Sequence, residues 1–125
     1  MRHSAQRDTI LRIVKDAHDH PTADTIYSRV REEIPNISLG TVYRNLKSLS
    51  DMGEVDTMET LDKSIHYDGN TVTHRHFICR ECSHIIDLFF ECKIPEEFHS
   101  LGLLVESQKT IYYGLCPDCQ RQKAQ

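Results

Sequence analysis

Apolar residues recur at helical spacing three times before residue 53. Ile10, Leu11 and Val14 place a stripe on a segment of about 5–17, which His18-Asp19-His20-Pro21 breaks. Thr22 then reads as an N-cap with Asp24 in the favourable first turn. Ala23, Ile26, Tyr27, Val30 and Ile34 follow with a period near 3.6, and Pro35 stops the run. Ser38 caps a third helix. Its expected buried stripe is Leu39, Val42, Leu46 and Leu49, and Gly53 suits its C-terminal end. Two short strand candidates come next, 54–59 and 63–67, joined by a polar turn.

Three helices and a hairpin outline a winged helix-turn-helix. A helix fits the major groove of DNA, where base edges can be read. The face of the third helix that would do so carries Thr41, Tyr43, Arg44, Asn45 and Ser48, with Ser38 at its start. Arg and Asn suit guanine and adenine edges, and Tyr and Ser suit phosphates. The same pattern also fits three packed helices with a solvated polar face.

The second half reads differently. Strand candidates fall at 76–79, 84–90 and 105–113, with a short helix at 94–103. Two or three strands and one helix make a thin core, which calls for a metal staple or a second copy. The expected fold is α+β: a winged-helix domain over 1–69, then a small α/β dimerisation and metal-binding domain over 70–125.

Charge sharpens this division. The chain of 125 residues has a net charge of -4, which by itself argues against nucleic acid. Residues 1–50 are nevertheless net +2, while the remainder is net -6. The first half can approach phosphates and the second can attract cations. No apolar run approaches the roughly 18 residues of a bilayer span, and MRHSAQRDTI is no signal peptide. A reducing cytoplasm is expected, with no membrane partner. There, paired cysteines more often hold metal than form disulfides.

The cysteines come late and in pairs. Cys79-Arg80-Glu81-Cys82 and Cys116-Pro117-Asp118-Cys119 are each expected to be tight polar turns. Four thiolates favour tetrahedral Zn²⁺, which undergoes no redox change. A redox dithiol or a regulatory disulfide remains the other reading. Cys92 stands apart as a structural or incidental thiol.

His74 and His76 alternate along a strand, so both rings face one side. Asp68 precedes them and Asp87 lies on the following strand. Two imidazoles and two carboxylates suit Fe²⁺, Mn²⁺ or Zn²⁺, and the carboxylates tilt the choice toward iron or manganese. Surface histidines beside unrelated acids would give the same pattern. His20, alone in a turn, says little. His66, His84 and His99 read as solvated. No general acid or nucleophile stands beside the set, so an enzyme is not expected.

These residues together resemble the ferric uptake regulator superfamily of bacterial metal-dependent repressors. The likeness runs through Gln6-Arg7, His20-Pro21-Thr22-Ala23-Asp24, the segment from Ile37 to Leu46, His74-x-His76-x-x-Cys79-x-x-Cys82 and Cys116-x-x-Cys119. It implies a DNA-binding winged helix, a homodimerising second half and structural zinc on Cys79, Cys82, Cys116 and Cys119. It also implies a regulatory Fe²⁺ or Mn²⁺ on His20, Asp68, His74, His76 and Asp87. Thr73-His74-Arg75-His76 replaces the His-rich run of iron-sensing members, and Asp stands where those members carry Glu. That set looks like the peroxide-sensing (PerR-type) branch, in which Fe²⁺ and hydrogen peroxide oxidise a ligand histidine and the repressor releases its operator. His20 and His74 are the residues so implied. Arg44 looks more like iron-type members, a departure that bears on which operator is read. An iron-, manganese- or zinc-uptake repressor that responds to metal level only is the alternative within the superfamily. The chain starts only five residues ahead of Gln6, where members usually carry another short helix and basic residues.

Overall fold

The computed structural model describes residues 2–71, 75–90 and 93–124, without the side chains of 2–4. His74 and Cys92 lie outside the described residues. Two compact units divide the chain, Met1–Val72 and Thr73–Gln125. No helix among the described residues is long and apolar enough to cross a membrane.

The first unit is a three-helix winged helix. Its elements are α1 (Arg2–Asp16), α2 (Ala23–Arg31), α3 (Leu39–Asp51), β1 (Asp56–Glu59) and β2 (Ile65–Asp68). Ile10, Ile13 and Val14 of α1 meet Ala23, Ile26 and Val30 of α2 and Val42, Leu46 and Leu49 of α3 in one buried cluster. The expected caps are present: the Thr22 and Ser38 side chains accept from the backbone N–H groups of Thr25 and Thr41. Gly53, at φ 76°, ends α3 in the left-handed region. Its N–H donates to Ser50 O, and Glu54 N–H donates to Leu49 O, the paired bonds of a Schellman ending.

Two expectations shift here. Helix α2 stops at Arg31 instead of reaching Ile34, which closes an irregular turn by donating to Val30 O. Leu39 is exposed rather than buried. It occupies the first helical position, and side chains tilt toward the N-terminus, so it points past the end of the helix.

The antiparallel β1–β2 wing pairs Asp56 with Asp68 and Glu59 with Ile65. Strand β2 also touches the turn between α1 and α2: Thr22 and His66 form a bridge, and Tyr67 N–H donates to Pro21 O at 2.9 Å. Just after β2 the chain runs hard against α1. A Cβ on Gly69 would stand 2.5 Å from Lys15 Cα, 2.7 Å from Lys15 N and 2.9 Å from Val14 C.

The second unit holds β3 (Arg75–Cys79), β4 (Ile85–Leu88), α4 (Glu96–Ser100), β5 (Ile111–Gly114) and α5 (Pro117–Lys123). The sheet order is β4-β3-β5, with β3–β4 antiparallel and β3–β5 parallel. Strands β4 and β5 and helix α4 are shorter than the sequence pattern suggests, while β3 is as expected with Arg75 added at its start. Helix α5 was not expected at all; the sequence reading makes Cys116–Cys119 a polar turn. Pro117 at N1 presets a helical φ and Asp118 complements the N-terminus, so the second cysteine pair opens a helix instead. Among the described apolar residues this unit buries Ile78, Ile85 and three cysteines, which is little core for a folded unit.

Because the three atoms nearest to a Gly69 Cβ are all backbone of α1, Gly69→Ala forces α1 and the end of β2 apart. The expected loss is about 1–3 kcal/mol in urea unfolding. Gly53→Ala meets nothing within 4 Å and loses about 1 kcal/mol, from its backbone conformation alone. Equal effects at the two glycines would contradict the close-approach reading.

Candidate metal centres and DNA-reading face

The four cysteines are free thiols whose sulfurs lie within 4.8 Å of one another. The backbone brings them together through the parallel register. Cys79, last in β3, stands opposite Gly114, last in β5, so the segments that follow leave from the same end of the sheet. Arg80 N–H then donates to Gly114 O at 2.8 Å, and Cys116 N–H points to Cys79 Sγ at 3.4 Å. Lys123 of α5 reaches back to Glu81 at 3.0 Å, tying the second cysteine segment to the first.

The sulfur spacing fits zinc. Two thiolates at about 2.3 Å from one tetrahedral ion stand about 3.8 Å apart. Cys82 Sγ and Cys116 Sγ are 3.8 Å apart, far beyond the roughly 2 Å of a disulfide. The protonation balance points the same way. Backbone N–H groups of Cys82 and Cys116 lower Cys79 to about 6. The adjacent Cys116 thiol, together with burial, pushes Cys119 up to about 12. One thiolate forms readily and a fourth does not, so four thiolates at one point need a cation. The four sulfurs are thus spaced and placed as a tetrahedral Zn²⁺ site requires.

A second kind of ligand pair occurs once in each unit. In the first, His20 Nε2 lies 3.5 Å from Asp68 Oδ2, and both side chains are largely buried. Asp68 Oδ1 accepts from Asn70 N–H at 2.9 Å, which fixes the carboxylate. His20 has φ 48°, a left-handed conformation that costs a non-glycine residue about 1–2 kcal/mol. Its turn is tied down on two sides. Arg29 grips the Asp19 carboxylate with both terminal nitrogens, at 2.5 and 3.2 Å, and that hydrogen bond holds the Asp19 carboxyl below its usual range. On the other side His66 Nδ1 lies 2.7 Å from His20 O. The expectation that His66 is merely solvated is therefore corrected: it is half-buried and bonded to the backbone of the turn.

In the second unit His76 and Asp87 are direct cross-strand partners in β3 and β4. His76 Nε2 lies 3.4 Å from Asp87 Oδ1, with the His76 ring 3% exposed. Two donors held by one ion at about 2.1 Å stand about 3.0–3.4 Å apart, so each His–Asp pair can close on an ion with little movement. Nitrogen and carboxylate donors suit Fe²⁺ or Mn²⁺ where thiolates suit zinc.

The residues expected to read DNA divide into two groups. Tyr43 and Arg44 are exposed on α3. Ser38 and Thr41 share a hydroxyl contact at 2.9 Å at the helix cap, and Arg44 donates to Thr41 Oγ1 at 3.1 Å. Asn45 donates to Thr41 O at 2.9 Å and is half-buried. Lys47, absent from the sequence-derived set, is exposed one turn beyond Tyr43 and Arg44. It pairs with Asp51 at 3.2 Å. Its i,i+3 and i,i+4 relation to those two residues was the available signal. All three line a groove of about 460 Å³ between α3 and the wing, with Thr57 and Tyr67 on its far side.

A winged helix gains from metal ligands when metal governs its grip on DNA. The class so defined is the metal-dependent DNA-binding transcriptional repressor. Residues 1–102 match the Ferric uptake regulator family, and the chain belongs to that family. The peroxide-responsive repressor PerR of Staphylococcus saprophyticus is 37% identical over 123 residues, covering 96% of this chain and 83% of that protein. The crystal structure of the Campylobacter jejuni peroxide stress regulator superposes with a TM-score of 0.77 at 28% identity, covering 94% of this chain and 91% of that one. FurB of M. tuberculosis, a zinc uptake regulator, gives a TM-score of 0.56 at 29% identity, with 94% and 95% covered.

Replacing one corner of the sulfur tetrahedron tests its structural role. Cys82→Ser or Cys119→Ser is expected to drop zinc content from one ion per chain toward none. The second unit should then lose cooperative unfolding while the first keeps its helical circular dichroism. Full near-UV signal in a zinc-free variant would show that the metal is dispensable to the fold.

Proposed function

We propose that the chain is a homodimeric repressor that binds operator DNA when Fe²⁺ or Mn²⁺ is bound and lets go after reaction with hydrogen peroxide. The single observation that carries this is the matched pair of His–Asp half-shells, His20–Asp68 and His76–Asp87. Neither pair is a full coordination shell. In this reading one regulatory ion takes His20, Asp68, His74, His76 and Asp87 together, and so ties the winged-helix domain (1–69) to the dimerisation domain (70–125). The ion must bind the DNA-competent arrangement better than any other, or it shifts nothing.

Two further features support the reading. The second unit leaves Phe89, Leu101, Leu103 and Leu104 exposed, Leu104 at 84%, and its sheet ends in β4 and β5 with open edges among the described residues. A second copy would cover both. A dimer would then present two α3 helices to half-sites about 34 Å apart, or a multiple of that. A cytoplasmic protein with reduced thiols fits this chemistry.

Fe²⁺ held by these residues would supply the electron chemistry that cleaves hydrogen peroxide, one oxygen going to a ligand ring and the other leaving as water. The protein supplies imidazoles within reach, His20 and His74 by position. An oxidised ring no longer offers the same lone pair, so the tie between the domains is lost and the operator is released. The curated relatives that match over nearly the whole chain are named peroxide-responsive repressors, which favours this reading over an uptake repressor that follows metal level alone.

The test uses the zinc-loaded dimer and a DNA site selected from a random pool in the presence of Mn²⁺. Peroxide should abolish binding of the Fe²⁺ form, and a tryptic peptide with His20 or His74 should gain the mass of one oxygen. The Mn²⁺ form should keep both its mass and its DNA. Undiminished DNA binding by the peroxide-treated Fe²⁺ form would sink the sensor reading and leave the uptake repressor. His20→Ala should retain zinc yet lose the dependence on Mn²⁺.

On the same site, Arg44→Ala should cost about 1–3 kcal/mol and relax preference at one base position. Lys47→Ala should weaken all sequences alike and lower the salt slope by about 1. If base preference is unchanged in the Arg44 variant, the assignment of that residue to base reading is wrong.

A further inference from the structure

The turn that carries His20 is an unusual place to hang a metal ligand. Its backbone is left-handed at φ 48°, in a region that a histidine visits only when its surroundings favour it. His66 is in direct contact with that backbone. Its Nδ1 stands 2.7 Å from His20 O. A carbonyl oxygen can only accept, so Nδ1 must carry the proton and donate. His66 sits on β2 two residues before Asp68, faces Met58 across the wing and bridges Thr22. The next residue, Tyr67, donates its N–H to Pro21 O at 2.9 Å. One strand therefore holds the His20 turn by its backbone and presents the Asp68 carboxylate to the His20 ring.

We infer that His66 is a positioning residue for the regulatory metal site: its Nδ1–H holds the His20 carbonyl in the conformation that aims His20 Nε2 at Asp68 Oδ2. It acts through His20 and takes no part in binding the ion itself. Sequence alone gives no hint of this, since the two residues are 46 positions apart. The inference deepens the proposed function and rests on His20 being a ligand. It adds a consequence that reading does not contain: the wing, an element that faces DNA in winged helices, helps set the geometry of a metal ligand through a side-chain hydrogen bond.

The experiment compares His66→Asn with His66→Leu in the full-length, zinc-loaded dimer. An Asn amide places an N–H donor near the position of Nδ1, and Leu fills the space without a donor. Mn²⁺ affinity is read by competition with a fluorescent chelator, with zinc content and thermal unfolding measured alongside. His66→Leu should bind Mn²⁺ about tenfold or more weakly, the usual scale for removing a group that orients a ligand. His66→Asn should recover most of that loss, and zinc content should stay at the wild-type value in both. In the metal-free wild type, long-range proton–nitrogen NMR of the His66 ring should show the proton on Nδ1.

Wild-type affinity in His66→Leu overturns the inference, and so does an equal loss in both variants or a proton found only on Nε2. The NMR result stands even where a variant folds poorly. His20→Ala separates the two levels. If it abolishes Mn²⁺ binding while His66→Leu does not, only the positioning role fails. If His20→Ala binds normally, the regulatory-site reading fails and the inference falls with it.

Discussion

Four sulfurs that must meet at one point are the constraint on which the second unit depends. A tetrahedron of about 3.8 Å edge leaves little freedom to the backbone that supplies its corners. Two corners come from the end of β3 and the turn after it, and two from the start of α5. That geometry demands that β3 and β5 finish side by side, which a parallel pair does and an antiparallel pair does not. The register Cys79↔Gly114 meets the demand. Gly114 also fits here sterically, because a Cβ would stand 3.2 Å from the Phe77 ring. With only Ile78 and Ile85 buried beside the cysteines among the described apolar residues, hydrophobic burial alone stabilises this unit weakly. The metal supplies what the core lacks.

The same strand carries a member of each candidate site. Cys79 and His76 are both on β3, and His76 meets its carboxylate partner Asp87 on β4. An ion on the cysteines would fix one end of β3 and with it the aim of the imidazole three residues away. The donor types keep the two sites chemically apart. Sulfur holds the soft, redox-silent ion, while nitrogen and oxygen suit a harder ion able to change oxidation state. A chain that exchanged these ligand sets would have its reactive metal buried in the staple and its staple exposed to oxidant.

Much of this was legible in the sequence because it depends on local chemistry. The N-caps at Thr22 and Ser38, the Gly53 ending and the apolar stripes of α1 to α3 follow from residue type and spacing. So does the grouping of the cysteines, since a Cys-x-x-Cys pair bends round one ion wherever it lies. The parallel pairing of β3 with β5 was not legible, because nothing in a short strand records the direction of its partner. Helix α5 was hidden by its shortness: seven residues give too few turns for a periodic stripe to show. Leu39 misled for a related reason, as periodicity says which face a residue shares but not whether the helix end has anything to cover it. Lys47 was passed over although its spacing from Tyr43 and Arg44 was plain, because Lys is a point charge without the base-reading pattern that Arg and Asn offer.

His20 and His66 show where reading by pattern reaches its limit. Each looks like a solitary polar residue, one in a turn that says little by itself and one on a half-exposed strand that reads as solvated. What changes their meaning is a backbone conformation. A left-handed histidine is disfavoured by itself, so the surrounding bonds that hold it must outweigh the strain. Here Arg29 on Asp19, His66 on His20 and Tyr67 on Pro21 act on three successive residues. A side chain held in this way keeps its direction without metal, so an ion bound there would lose less of its binding energy to ordering the site. Were the ring oxidised, the same three bonds would remain, so the damage would remove one donor atom and leave the turn in place.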